Sequence, residues 1–237
     1  MSRVLQAWSI ALFVAIASFA VTLGSRQPSA TEVRLQLVTY TSNLISSTRH
    51  EGRFVALTFD DGPHPTWTPQ VLDLLKRHGV RATFCLVGEN VDRYPGLVRR
   101  MVAEGHRLCD HTVGHDVLQD SSETHVRDEI LGGLRAIHSA APKTRVRYYR
   151  APYGAWSAYQ VRTARKAGMR SLAWSVDTRD WSRPGVSAIL ANVDRELRPG
   201  GVILMHDGRG DRSQSVAALR ILLRDLPQKG YRFDFPG

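Results

Sequence analysis

Two aspartates stand side by side at Asp60 and Asp61, where the apolar run Phe54-Val55-Ala56-Leu57 gives way to Gly62-Pro63. Adjacent carboxylates repel one another, and the mouth of a buried strand is a poor place to leave both ionised. A solvated turn would explain the pair by itself. A divalent cation explains it better once His111 and His115 are considered. Two imidazoles four residues apart can face one side of a helical turn and chelate a metal, and an aspartate oxygen completes the set with positions left for water. Successive side chains at a strand end point to opposite sides, so only one of the two carboxylates reaches the ion. The other stays free to act as a base.

The remaining polar clusters fit around such a centre. Arg150, ahead of Ala-Pro-Tyr153, can clamp a carboxylate through its guanidinium fork. His206 emerges from Val202–Met205 beside Asp207 and can serve as a general acid. Asp177, Asp180 and Trp181 form a further group, in which Trp181 can wall a small apolar pocket. Each has a plainer alternative: a surface cation for Arg150, a satisfied core histidine for His206, loop closure for Asp180-Trp181. His64, His78, His106, His125 and His138 have no partner at ligand spacing and receive no role.

These groups need a scaffold, and an alternating pattern supplies one. Short apolar runs (Phe54–Phe59, Ala82–Val87, His106–Cys109, Val146–Tyr149, Ser171–Val176, Gly201–Met205, Tyr231–Phe235) predict strands. Between them, Pro69–His78, Leu97–Glu104, Glu123–Ala140, Ala158–Ala167, Val186–Leu197 and Ser215–Leu226 read as helices. Val71, Leu72, Leu74 and Leu75 line one helix at a spacing near 3.6, and Gly79, Gly105, Gly168 and Gly230 fall where helices stop. Such alternation predicts a parallel sheet covered by helices, open or closed into a barrel. All five polar clusters then lie just past the C-terminal ends of strands, the edge where parallel α/β folds assemble their sites.

The 237 residues suffice for one domain with a sizeable core. Net charge is +10 and only Lys76, Lys143, Lys166 and Lys229 are lysines, but the arginines are interspersed with acids and form no basic block. Nucleic-acid binding is therefore not expected. Ala7–Leu23 carries no charge and follows Arg3, so residues 1–24 read as a signal peptide or a membrane anchor. Residues 25–52 read as a polar linker and 53–237 as the catalytic domain. Cys85 and Cys109 both fall in predicted strands, where either a disulfide or two buried thiols would fit.

From Arg53 to the C-terminus the motifs Thr58-Phe-Asp-Asp-Gly62, His111-Thr-x-x-His115, Arg150-x-Pro-Tyr153, Asp177-x-x-Asp180-Trp181 and Leu204-x-His206 occur in the order of the NodB-homology polysaccharide deacetylases, carbohydrate esterase family 4, which this chain resembles. The resemblance implies a distorted, incomplete (β/α)7–8 barrel and a metal-dependent hydrolase that removes acetyl groups from N-acetylglucosamine units of peptidoglycan or a chitin-type oligosaccharide. It assigns Asp61, His111 and His115 to one divalent ion, zinc or another first-row metal such as cobalt, nickel or manganese. Asp60 matches the catalytic base, Arg150 the residue that orients it, His206 the acid and Asp180 its tuning partner. Trp181 and Leu204 match the pocket for the acetyl methyl, and the Tyr153 N–H an oxyanion donor. Arg81 sits where some relatives place a second basic residue near the base. Asp110 departs from the asparagine many relatives carry, adding a carboxylate next to a metal ligand. The expected partner is an acetylated polysaccharide, met outside the cytoplasm by a monomer that is secreted or held at the membrane through its N-terminal segment. An O-acetyl esterase acting on xylan and a carbohydrate-binding relative without turnover are the alternatives.

Overall fold

The computed structural model describes residues 44–237, and the expected export segment lies outside them. Eight parallel strands form one sheet: β1 (Phe54–Asp60), β2 (Thr83–Leu86), β3 (Arg107–Asp110), β4 (Val146–Tyr149), β5 (Arg170–Ser171), β6 (Val176–Asp177), β7 (Gly201–His206) and β8 (Arg232–Asp234). The order across the sheet is β5-β4-β3-β2-β1-β7-β6, with β8 beside the first half of β1. Seven helices join them: α1 (Trp67–Arg77), α2 (Gly88–Arg93), α3 (Pro95–Ala103), α4 (Glu123–Ala140), α5 (Ala158–Lys166), α6 (Val186–Glu196) and α7 (Ser213–Gln228). This is the distorted, incomplete (β/α) barrel that the resemblance implied. Among the described residues no helix is long and apolar enough to cross a membrane.

The period-two alternation of the strands sorts the core into two layers. Val55, Leu57 and Phe59 of β1, with Phe84, Leu108, Ile203 and Met205, face outward and pack in one cluster with Val71, Leu72 and Leu75 of α1 and Leu219 and Leu222 of α7. Ala56, Cys85, Cys109, Tyr148 and Val202 face inward and form a smaller cluster with Ile45 and Leu172. On β1 the inward series continues through Thr58 to Asp60, so the strand delivers an aspartate to the mouth of the half-barrel. On β7 it runs Val202, Leu204, His206, which brings an imidazole to the matching position, since Asp60 and His206 are register partners.

Cys85 and Cys109 are register partners on that inner face, with Cα atoms 4.2 Å apart, and they form a disulfide. Neighbouring inward positions in one register are what bring the two sulfurs together.

Two elements differ from the sequence expectation. The apolar run 171–176 is not one strand: β5 ends at Ser171 on β4, β6 begins at Val176 on β7, and the residues between cross the open side of the barrel. Ile45 fills this seam. Its N–H donates to Ser171 O at 2.8 Å, and its carbonyl accepts from Ala173 N at 2.7 Å. Thr48 N bonds Gly200 O and Arg49 N bonds Phe235 O, so residues 45–49, inside the stretch expected to be linker, are tied to the domain. The second difference is α2, whose six residues Gly-Glu-Asn-Val-Asp-Arg contain one buried apolar side chain, Val91, and so present no readable helical stripe.

Candidate active site and metal centre

Asp61 follows β1 with a φ of 75°, a left-handed conformation that turns it away from Asp60. The loop after β7 presses on it so closely that a Cβ on Gly208 would lie 2.1 Å from the Asp61 carbonyl oxygen. Asp61 Oδ1 lies 3.1 Å from His115 Nε2 and 3.7 Å from His111 Nε2, and one potential ligand atom from each of the three residues falls within 4.8 Å of the others. His111 Nδ1 sits 2.8 Å from Arg150 O, a carbonyl that can only accept, so Nδ1 carries the proton and Nε2 keeps its lone pair. Asp61 Oδ1 touches His115 without the alignment of a hydrogen bond and is a buried acceptor with no hydrogen-bond partner. Burial alone would raise its pKa, but the contact with His115 and the charges of His206 and His111 hold it down at about 2. An unpartnered carboxylate oxygen converging with two imidazole nitrogens fits a divalent cation.

The histidine loop is tied by its own side chains. Asp110 Oδ1 accepts from Thr112 N, Thr112 Oγ1 accepts from His115 N, and Glu129 Oε2 on α4 accepts from both Val113 N and Gly114 N. α4 approaches so tightly that a Cβ on Gly133 would meet Asp110 Oδ1 at 2.1 Å. Asp110 thus turns into the helix contact, and burial drives its pKa well up, toward the neutral form. It does there what an asparagine would do.

On the other side of Asp61, Asp60 Oδ1 accepts from Arg150 Nη1 at 2.6 Å while its Oδ2 stands 3.6 Å from His111 Nε2. Arg150 is fully buried, yet every branch of its guanidinium is used: Nη1 also reaches Thr58 Oγ1, Nε reaches Leu172 O and Nη2 reaches Ala173 O. A charge without solvent is tolerated only when paired and bonded in this way.

His206 Nδ1 lies 2.7 Å from Asp180 Oδ1, and the His206 backbone N–H donates to Asp180 Oδ2 at 2.9 Å. Burial would lower the imidazole pKa, but Asp180, through charge and hydrogen bond, pushes it up to about 9, with a smaller contribution from Asp61 and Asp60. Thr178 Oγ1 and Ser215 Oγ also donate to the Asp180 carboxylate, at 3.1 and 2.6 Å. Asp207 points elsewhere, to Thr68 Oγ1 at 2.5 Å; burial raises its pKa to about 7, the Thr68 bond opposes that and Asp61 and Asp60 add to it.

The expected substrate residues lie on the same edge of the sheet, Leu204 and Trp181 on the His206 side and Tyr153 beside His115. Leu204 is buried on β7. Tyr153 and Trp181 are 65% and 55% exposed, two of only three large apolar side chains so exposed among the described residues, and Tyr153 sets its ring against His115 at 4.6 Å. Tyr153 adopts a left-handed φ of 58°. Asp177 accepts from Arg179 N and shapes the loop. Arg81 is not at the site: it precedes β2, at the opposite end of the strands, with its guanidinium over the Phe235 ring at 5.7 Å. A residue ahead of a parallel strand cannot reach the edge where the strand ends. Thr178, Ser215, Glu129 and Arg212 were invisible in the sequence, since no motif spacing links them to the groups they hold.

Residues 47–172 match the family model described as polysaccharide deacetylase. The chain belongs to the polysaccharide deacetylase family. Among its relatives, a chitooligosaccharide deacetylase from a Bradyrhizobium species is 45% identical over 76% of this chain and 87% of that one. A Bacillus cereus peptidoglycan-N-acetylglucosamine deacetylase is 40% identical over 76% and 85% of the two chains. A solved peptidoglycan N-acetylglucosamine deacetylase in complex with an N-oxidanyl-benzamide superposes with a TM-score of 0.75 at 37% identity, covering 80% of this polysaccharide deacetylase and 89% of the other chain.

Proposed function

We propose that the protein hydrolyses the acetamide of N-acetylglucosamine units in an extracytoplasmic polysaccharide, peptidoglycan or a chitin-type oligomer, to acetate and a free amine. The observation that carries this reading is the split of adjacent aspartates: Asp61 turned to His111 and His115, Asp60 locked on Arg150, with His206 opposite. Asp61, His111 and His115 would hold a divalent ion of the zinc type, which would supply Lewis acidity to the attacking water and the acetyl carbonyl. Asp60 takes the proton from that water, its carboxylate aimed by Arg150. The Tyr153 N–H is assigned to the oxyanion, and Trp181 and Leu204 to the acetyl methyl. His206 gives its proton to the nitrogen as the C–N bond breaks.

This last step favours the amide over an O-acetyl ester. An amine leaves only when protonated, and Asp180 keeps His206 charged at neutral pH. A Cys85–Cys109 disulfide supports a site of action in an oxidising compartment, as the apolar N-terminal segment does. The test is acetate release from peptidoglycan, chitooligosaccharides and acetylxylan, with metal-chelated protein as the control. Release from acetylxylan alone would overturn the N-deacetylase reading, and full activity after chelation would overturn the metal.

A further inference from the structure

The loop carrying Asp180 and Trp181 cannot hold its own shape. Its regular part is a single 3-10 turn, Asp180–Ser182, and non-glycine residues in the left-handed region flank it, Arg179 at φ 54° and Arg183 at φ 56°. Such conformations persist only where the surroundings impose them.

Besides His206 on β7 and Asn192 on α6, which bonds Thr178 O, much of the support comes from one short segment, Asp211–Ser215, at the start of α7. Ser215, 2% exposed, donates its hydroxyl to Asp180 Oδ2 at 2.6 Å. Gln214 Oε1 accepts from Gly185 N at 2.8 Å. Arg212, 5% exposed, donates Nη1 to Trp181 O at 3.3 Å and Nε to Gly208 O at 2.6 Å, and Asp211 pairs with Arg183 at 2.9 Å. Four of these five consecutive side chains, all but Ser213, thus meet a loop about 30 positions away in sequence. Two of those contacts fall on the residues assigned to proton delivery and to the acetyl pocket.

We propose that Asp211–Ser215 is a clamp whose two ends serve different steps of deacetylation: Ser215 positions the acid through Asp180, and Arg212 positions the pocket wall through Trp181. Asp180 Oδ2 accepts the Ser215 hydroxyl and the His206 backbone N–H together. Without the hydroxyl, Oδ2 keeps only the His206 backbone N–H, and the carboxylate, still held at Oδ1 by Thr178 and the imidazole, loses one of its two anchors on that side and aims the imidazole less tightly. Without the Arg212 fork, the Trp181 backbone loses its tie to the β7 loop, while the His206–Asp180 pair is untouched.

The inference rests on His206 being the acid, so the experiment carries His206→Ala as its reference. Rates are measured on an N-acetylglucosamine oligomer and on an aryl acetate, whose phenolate leaves without a proton. Ser215→Ala should lower kcat on the oligomer about tenfold, in line with one hydrogen bond to a buried charge, and lower aryl acetate turnover by less than about twofold. KM and metal content should stay at wild-type values. Ser215→Thr, which restores the hydroxyl, should restore the ratio. Arg212→Lys keeps the charge but not the fork, and should raise KM for the oligomer severalfold with kcat little changed. A purely structural role predicts instead equal losses on both substrates, following the drop in melting temperature. Selective loss on the amide in His206→Ala but not in Ser215→Ala would overturn the clamp and leave the acid standing. Equal losses in His206→Ala would sink the acid and the clamp together.

Discussion

Asp180→Asn gives the sharpest quantitative test of how the acid is made. The asparagine keeps the size of the side chain and can still accept from His206 Nδ1, but it removes the charge that opposes desolvation. With Asp180 the imidazole pKa is about 9. Without it, burial, the largest influence, is opposed only by the smaller contributions of Asp61 and Asp60, and the pKa falls to the ordinary value of about 6.5 or below. At pH 7.5 the protonated fraction then drops from about 97% to about 9%, a loss of roughly tenfold in amide turnover from protonation alone. A cation bound at Asp61 would cancel part of what Asp60 and Asp61 add, while the larger contribution of Asp180 survives. The basic limb of the kcat/KM profile on an N-acetylglucosamine oligomer should accordingly move down by about one to two and a half units. Stability follows the same sign. A raised histidine pKa adds stability that is complete below about 6.5 and is lost as pH climbs through 9, at most ~3 kcal/mol, and Asp180→Asn should abolish that dependence. An unmoved basic limb in Asp180→Asn would refute the assignment of His206 as an acid tuned by Asp180.

Three further outcomes are expected. Asp60→Asn should retain metal and lose turnover by at least about a hundredfold, whereas His111→Ala or His115→Ala should lose the metal itself, as elemental analysis of purified variants will read; metal lost from Asp60→Asn but kept in Asp61→Asn would mean the two carboxylates are exchanged. Replacing Cys85 and Cys109 together by serine should cost about 3 kcal/mol in urea unfolding, the loop-closure value for a separation of 24 residues; an unchanged midpoint would show that the sulfurs are not bonded. A chain beginning at Glu51 loses the burial of Ile45, worth roughly 1.5–3 kcal/mol, and should melt several degrees lower than one beginning at residue 44.

What the sequence disclosed followed from periodicity. β1, β7 and the helices other than α2 were readable because apolar residues repeat at two or near 3.6, and the site was readable because its groups sit at strand ends. Ser171–Val176 misled because an apolar run looks alike whether it pairs along its length or crosses a seam. Ile45 was hidden in a polar stretch, and only the missing strand pairing on the far side of the barrel gives it a place. The supports of Asp180 were hidden for another reason. A hydroxyl 35 residues away, like a glutamate on α4 that caps two loop amides, leaves no trace in local pattern, since hydrogen bonding needs one atom and no repeat.

The seam has a mechanical consequence. Arg150 rests on the carbonyls of Leu172 and Ala173, and Ile45 holds that stretch on its open side through backbone hydrogen bonds to Ser171 O and from Ala173 N, one on each side of Leu172. A force applied to the chain at residue 44 therefore meets Ile45 before it meets any complete strand. If that contact peels away, the seat of Arg150 loosens, and with it the aim of Asp60. Were the chain pulled from its N-terminal side, tension would reach the proposed base through this contact before it reached a complete strand.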